Sequence, residues 1–176
     1  EQGGEALNRE NRMAEAKKLL REKLFDWDPK DIKLETGRHY PPYWQGFQIG
    51  AQFAFAKLLK NLGSDEIKID LTPDTDRDAT RICFALSDHP GIFSRLSGAL
   101  ALVGANVVDA RSYTSKDGFA TAAFWIQDSD GAPYDKSRFS RLRGMIEKTL
   151  SGEIITRDAI KERDKFKKRE RAFKVP

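Results

Sequence analysis

Residues 80–131 read TRICFALSDHPGIFSRLSGALALVGANVVDARSYTSKDGFATAAFWIQDSDG, and the hydrophobic period of this run switches along its length. Thr80, Ile82, Phe84 and Leu86 recur at every second position, the spacing of a strand. From Gly91 to Val103 the period becomes helical, with Ile92, Leu96, Ala99, Leu100 and Val103 on one stripe and Gly104 placed to end the helix. Ala105 to Thr114 reads as a strand again. Ser115-Lys116-Asp117-Gly118 carries the Asp-Gly hairpin signal, and Phe119 to Asp128 is the returning strand. After a loop from Asp128 to Pro133, Asp135 to Leu150 predicts a helix. Phe139, Leu142, Met145, Ile146 and Leu150 point inward, Arg138, Arg141, Arg143 and Lys148 point outward, and Gly152 closes it.

Working outward, Ile67, Ile69 and Leu71 alternate with Lys68 and Asp70 before an acidic turn at 72–78, so a leading strand pairs with the strand at 80. That turn lacks the central glycine and closing glutamate of a calcium-binding EF-hand loop. From residue 79 the order is strand, helix, strand, strand, helix. A charged helix or linker at 153–171 and the start of a further strand at 172–176 follow. This is an α+β fold of ferredoxin-like βαββαβ order, preceded by helices and an extra β-strand, with two helices on one face of an antiparallel sheet. Ile82, Phe84, Leu96, Leu100, Val107, Phe139, Leu142 and Ile146 are its candidate core. The domain spans 66–152, and residues 1–65 form a helical N-terminal segment with a connector. Within that segment Ala6 to Leu24 predicts a helix with a thin apolar stripe. Asp28-Pro29 ends it, Lys30 to His39 is a polar connector, and Tyr40 to Leu62 is a second helix with apolar groups on two faces. The sheet face without helices must be covered, either by a second copy in a homodimer or by the aromatic helix at 40–62.

The 176 residues hold 39% hydrophobic and 33% charged side chains, too apolar for a disordered chain and too polar for a membrane protein. A single cysteine, Cys83, excludes an internal disulfide and suits a reducing compartment, so the chain reads as soluble and cytoplasmic. It opens on Glu1, has its first methionine at Met13 and stops within an extended segment, which reads as a piece of a longer protein. Residues 157–171 carry eight basic side chains against four acids, and this accounts for the whole net charge of +4. Interleaved with acids at helical spacing, the tract reads as a solvated helix or linker rather than a nucleic-acid site.

Catalytic constellations are missing. His39 and His89 are the two histidines, neither near another at metal-ligand spacing, and no phosphate loop, nucleophile elbow or zinc-protease motif occurs. No catalytic residue and no metal ligand is assigned. The informative segment is Asp88-His89-Pro90-Gly91-Ile92-Phe93, between the first core strand and the first core helix. Gly91 lets the backbone approach another group, and the amides of Gly91, Ile92 and Phe93 at the positive helix end suit a carboxylate. Equally, Asp88 could cap those same amides, leaving only a tight connection.

The run DHPGIFSRLSGALALVGANVVDARSYTSKDGFATAAFWIQDSDG at 88–131 resembles an ACT domain, the small regulatory module that binds amino acids in many metabolic enzymes. With RHYPPYW at 38–44, GANVVDAR at 104–111, FWIQDSDG at 124–131 and the terminal RAFKVP, the chain from about residue 37 is similar to the first of two ACT domains in the bifunctional uridylyltransferase/uridylyl-removing enzymes that act on the PII nitrogen-regulatory protein. The resemblance implies a glutamine sensor controlling nucleotidyltransferase and hydrolase domains absent from this chain, where the parent enzyme would use Mg. The fragment itself would be non-catalytic and without a cofactor. Its implied ligand site is Asp88, His89, Pro90, Gly91, Ile92 and Phe93, joined by Asn106 and Asp109. Those last two have opposite parity along an ideal strand, so a bulge or a strand end is needed for both to reach one ligand. Implied partners are glutamine, a second ACT domain, the catalytic domains and, through them, PII. Neither nucleic acid nor membrane is expected. The alternative is a ligand-free ACT module for dimerisation or domain docking.

Overall fold

A computed structural model gives the architecture of residues 2–152. Helices α1 (Gln2–Lys23), α2 (Pro29–Gly37), α3 (Pro41–Gly46) and α4 (Ile49–Leu59) come first, followed by strands β1 (Ile67–Asp74) and β2 (Ala79–Ser87). Then come α5 (Ile92–Leu102), β3 (Asn106–Thr114), β4 (Phe119–Gln127), a short 3-10 turn at Lys136–Arg138, and a last described helix, α6, over residues 139–152. Among the described residues the strands form one antiparallel sheet in the order β1-β2-β4-β3. The α+β reading holds. The charged segment at 153–171 and the further strand at 172–176 lie outside the described residues.

Pairing beside β2 is the informative part of the topology. In a βαββαβ sheet the place next to the first strand, on the side away from the third, belongs to the last strand. Here β1 occupies it, in register from Ile67 opposite Leu86 to Asp74 opposite Ala79. The leading strand is therefore integral to the sheet and removes an exposed edge from β2.

Each sheet face is buried under helices. Ile82, Phe84 and Leu86 of β2, with Ala120, Ala122, Phe124 and Ile126 of β4, pack against Leu96 and Leu100 of α5 and Leu142, Ile146 and Leu150 of α6. On the reverse face Ala79, Cys83 and Ala85, with Ala123 and Trp125, pack against Tyr43, Trp44, Phe47, Phe55 and Leu59 of the N-terminal helices. Three layers result, with the sheet in the middle. The chain's own helices thus cover the face for which a second copy was the alternative.

Three sequence expectations fail for identifiable reasons. The connector at 30–39 is helical as α2, because Asp28 caps it by accepting from the Lys30 N–H at 2.9 Å and Pro29 sits where no amide is needed. The Asp-Pro pair expected to stop one helix instead starts the next, since α1 already ends at Lys23. The single helix at 40–62 is two, broken by extended backbone at Phe47 and Gln48. The buried Gln52 amide makes the break tolerable by donating to the Phe47 carbonyl at 2.8 Å. Val107 is 38% exposed rather than core. Strand β3 bulges between Val107 and Asp109, and Val108 has no partner in the β4 register, so both valines face outward on an edge strand. Met145 is likewise exposed, and Phe139 is only partly buried.

The helical layer meets the edge strand at Gly46, where a Cβ atom would collide with the hydroxyl and ring of Tyr113. Arg111 Nη1 also donates to the Gly46 carbonyl at 2.7 Å. Replacing Gly46 with Ala should therefore cost about 1–3 kcal/mol in urea unfolding, and Tyr113→Ala in the same chain should give part of it back. Full additivity of the two losses would show that the contact is not the cause. Cys83 lies between sheet and helices, where burial foremost pushes its thiol up to about 12. A chromogenic disulfide should leave it untouched near pH 8 in the folded chain and react at once in denaturant, whereas rapid labelling of the native protein would contradict the layer packing.

Candidate functional site

The backbone leaves β2 at Ser87 and enters α5 at Ile92 through a turn that depends on Gly91. Its φ of 81° is left-handed, at the N-cap of α5, and no side chain caps the helix there. The Ile92 N–H donates to the His89 carbonyl at 3.2 Å and the Arg95 N–H to the Gly91 carbonyl at 3.0 Å. Between them the Phe93 and Ser94 N–H groups find no acceptor among the described residues. Two free donors at the positive end of a helix make a carboxylate-binding arrangement.

These amides face an open groove of about 660 Å³ lined by Asp88 to Ser94 and by Ser112 of β3. His89 and Pro90 are exposed at its rim, with His89 Nδ1 3.3 Å from the Pro90 carbonyl. Ile92 contributes only backbone, because its side chain is in the core. The half-exposed Phe93 ring lies 5.2 Å from that of Phe124, tilted 29° to it. A groove this open covers one side of a small molecule, whereas a finished site covers most of its ligand's surface.

Asp88 does not cap the helix. Its N–H donates to the Gly118 carbonyl at 2.9 Å, and its carboxylate accepts from Thr114 Oγ1 at 3.0 Å. The acid is therefore turned toward the end of β3, and the capping alternative fails. Asn106 and Asp109 are not brought to the groove. Strands β2 and β3 both run antiparallel to β4, hence parallel to each other, so the turn after β2 lies beside the end of β3. Asn106 and Asp109 precede Thr114 by eight and five residues, about 26 and 16 Å at ~3.3 Å per residue. The bulge needed to align them exists, but at the wrong end of the strand.

Asp109 has another task. Its carboxylate accepts from Arg77 Nη1 at 2.5 Å, and Arg77 lies 3.9 Å over the Trp125 ring, whose indole N–H donates to Asp74 at 2.8 Å. Partial burial works against ionisation, yet the bonds from Arg77 and the Ala110 amide hold this carboxyl below the usual range. Arg111, two residues further along β3, donates instead to the Gly46 carbonyl. Strand β4 adds nothing to the groove, because Thr121, Ala122 and Ala123 are all buried. Sequence reasoning missed Ser112, Thr114 and Gly118. The crossover itself carried that signal, because a helix between two parallel strands returns the second strand to end where the first one ends.

A ferredoxin-like sheet with a glycine-opened helix beside the next strand is the architecture of an ACT domain, and residues 81–136 match the ACT domain family. Over 99% of its length the chain is 65% identical to a bifunctional uridylyltransferase/uridylyl-removing enzyme of Cereibacter sphaeroides. Enzymes described in the same words from Ruegeria pomeroyi and Gluconobacter oxydans are 62% and 35% identical, each across 100% of the chain. The chain spans about a fifth of the length of these relatives, 19%, 20% and 19% respectively. It is thus an ACT-bearing region related to that of the bifunctional uridylyltransferase/uridylyl-removing enzymes.

Because nothing lies within 4 Å of a Cβ built on Gly91, a substitution there tests backbone strain alone. Gly91→Ala should destabilise the chain by about 1–2 kcal/mol in urea titration, the cost of a left-handed backbone for an L side chain. Unchanged stability would mean that the turn relaxes out of this conformation.

Proposed function

We infer that this chain is the regulatory portion of a larger uridylyltransferase/uridylyl-removing enzyme and that its ACT domain senses glutamine. The observation that carries the reading is the pair of unpartnered amides at Phe93 and Ser94, opening on a groove beside Ser112. They would receive the ligand's α-carboxylate, leaving its amino and amide groups for an opposing surface. In the parent enzyme, glutamine bound here would reduce uridylylation of PII and favour removal of the group. The Mg-dependent chemistry belongs to domains outside this chain.

The opposing surface is supplied by edge pairing. Strand β3 is an edge of the described sheet, and Val107, Val108 and the neighbouring Leu102 of α5 are exposed. An antiparallel partner at this edge would bring the start of its own corresponding strand against Ser112 and Thr114. An Asn106-type side chain can therefore act only across such an interface. In the longer protein we assign that role to the second ACT domain. In this chain by itself a second copy would take it, giving a homodimer through β3. The same exposed edge favours a second reading, in which the module docks without a ligand.

Calorimetry separates the two. Glutamine should bind a longer chain that continues into the second ACT domain, and bind this chain weakly or not at all. Gly91→Val should abolish the signal, because a β-branched residue is disfavoured at this left-handed φ and would shift the backbone that presents the amides. Equal binding with and without the substitution, both proteins being folded, would overturn the site and leave docking.

A further inference from the structure

The candidate loop packs with α5 and α6 on one face of the sheet, and helices α1–α4 pack on the other. A continuous set of polar contacts runs around the end of the sheet between them. It begins with Asp88, bound to Thr114 and Gly118 on either side of the β3–β4 turn. Inside the turn Ser115 Oγ donates to Asp117 Oδ1 at 2.6 Å and accepts from the Phe119 N–H at 2.9 Å. From the turn, the Lys116 N–H donates to the Arg38 carbonyl at 2.7 Å, and Asp117 Oδ2 accepts from Arg38 Nη2 at 2.7 Å and Nε at 3.2 Å. Arg38 closes the C-terminal end of α2, where its Nη1 reaches Glu35 Oε1 at 3.1 Å. The other Glu35 oxygen lies 2.7 Å from His39 Nε2, and the His39 ring stacks on Tyr43 at 3.6 Å.

What makes this more than a list of bonds is burial. Glu35, Arg38 and His39 are 1%, 8% and 3% exposed, whereas Asp117 sits on an exposed turn. Withdrawing Asp117 would leave a buried guanidinium with one carboxylate where it now has two, a costly state. The turn and the end of α2 are therefore displaced together more readily than separately.

We propose that the 115–118 turn is a coupling element: a change at the 88–94 loop moves the turn through Asp88, and Arg38 passes that movement to α2 and the helical layer. The ligand trigger rests on the function proposed above, but the linkage does not. The coupling is reciprocal, so disturbing α2 would also alter the loop.

Hydrogen exchange tests the linkage without ligand. Thr114→Val removes the hydroxyl bound to Asp88 at an exposed position, and it should speed exchange of the α2 amides about fivefold. In a chain already carrying Asp117→Ala, which cuts the turn from Arg38 yet leaves the Glu35 pair intact, the same change should have less than about a twofold effect. Exchange in α6 is the control for general loosening. If Thr114→Val leaves α2 unmoved, or speeds it equally in both backgrounds, the proposal is wrong. Glutamine is then added to the longer chain that continues into the second ACT domain, with and without Asp117→Ala. It should slow exchange at the first turn of α5 in both, and at α2 only where Asp117 is present. Protection of α5 without α2 in the unmodified chain would overturn coupling. No protection at α5, with the ligand-free result as expected, would remove glutamine as trigger and leave the linkage standing.

Discussion

The constraint on which the structure depends is that β2 and β4 are buried on both faces. The two faces meet it differently. Toward α5 and α6 the strands present Ile82, Phe84, Leu86, Phe124 and Ile126. Toward the N-terminal helices they present Ala79, Cys83, Ala85 and Ala123, small side chains that let helices approach closely, while Trp125, Phe119 and Tyr113 fill the space around them. Bulk on that side comes from the helices, as Tyr43, Trp44, Phe47 and Phe55. The N-terminal layer is thus complementary to a flat sheet surface, and at Gly46 against Tyr113 the fit leaves no room for a Cβ atom.

An arginine locks each end of the sheet by linking elements that are not neighbours within it. At one end Arg77, from the β1–β2 turn, lies over Trp125 and reaches Asp109 of β3. At the other Arg38, from the helical layer, lies 5.6 Å over Phe119 and reaches Asp117. At the Arg38 end, beside the β3–β4 turn, the groove at Gly91 has free donors and an open side. The unpaired backbone donors at the helix opening lie beside an open groove, whereas the unpaired side-chain atoms of the scaffold, Tyr43 Oη, Trp44 Nε1, Gln52 Oε1 and Arg81 Nε, are buried.

Most of the fold was legible in the sequence because alternation, helical stripes and the Asp-Gly turn all agreed locally. Ile82, Phe84, Leu96, Leu100, Leu142 and Ile146 are buried as their spacing required. Helix α2 was missed because Asp28-Pro29 carries a stop and a start at once. Val107 was misplaced because a bulge has no reliable sequence signature and inverts the alternation beyond it. For the site, the turn around Gly91 was visible in residue chemistry. Its neighbours were not, because they depend on which ends of β2 and β3 lie together. Asn106 and Asp109 are close to the loop in sequence order and far from it along the sheet. The slot filled by β1 was hidden for the same reason, since a strand pattern names no partner.

The distribution of aromatic rings divides the molecule optically. Trp27, Trp44 and Trp125 all belong to the layer where the N-terminal helices meet the sheet, each with a cationic side chain over its ring. The α5 and α6 side contains no tryptophan. Indole emission therefore follows one half of the protein and is blind to melting confined to the other, whereas far-ultraviolet dichroism weighs both. Superposition of the two unfolding curves is then a direct measure of whether three layers sharing one sheet unfold as a single cooperative unit.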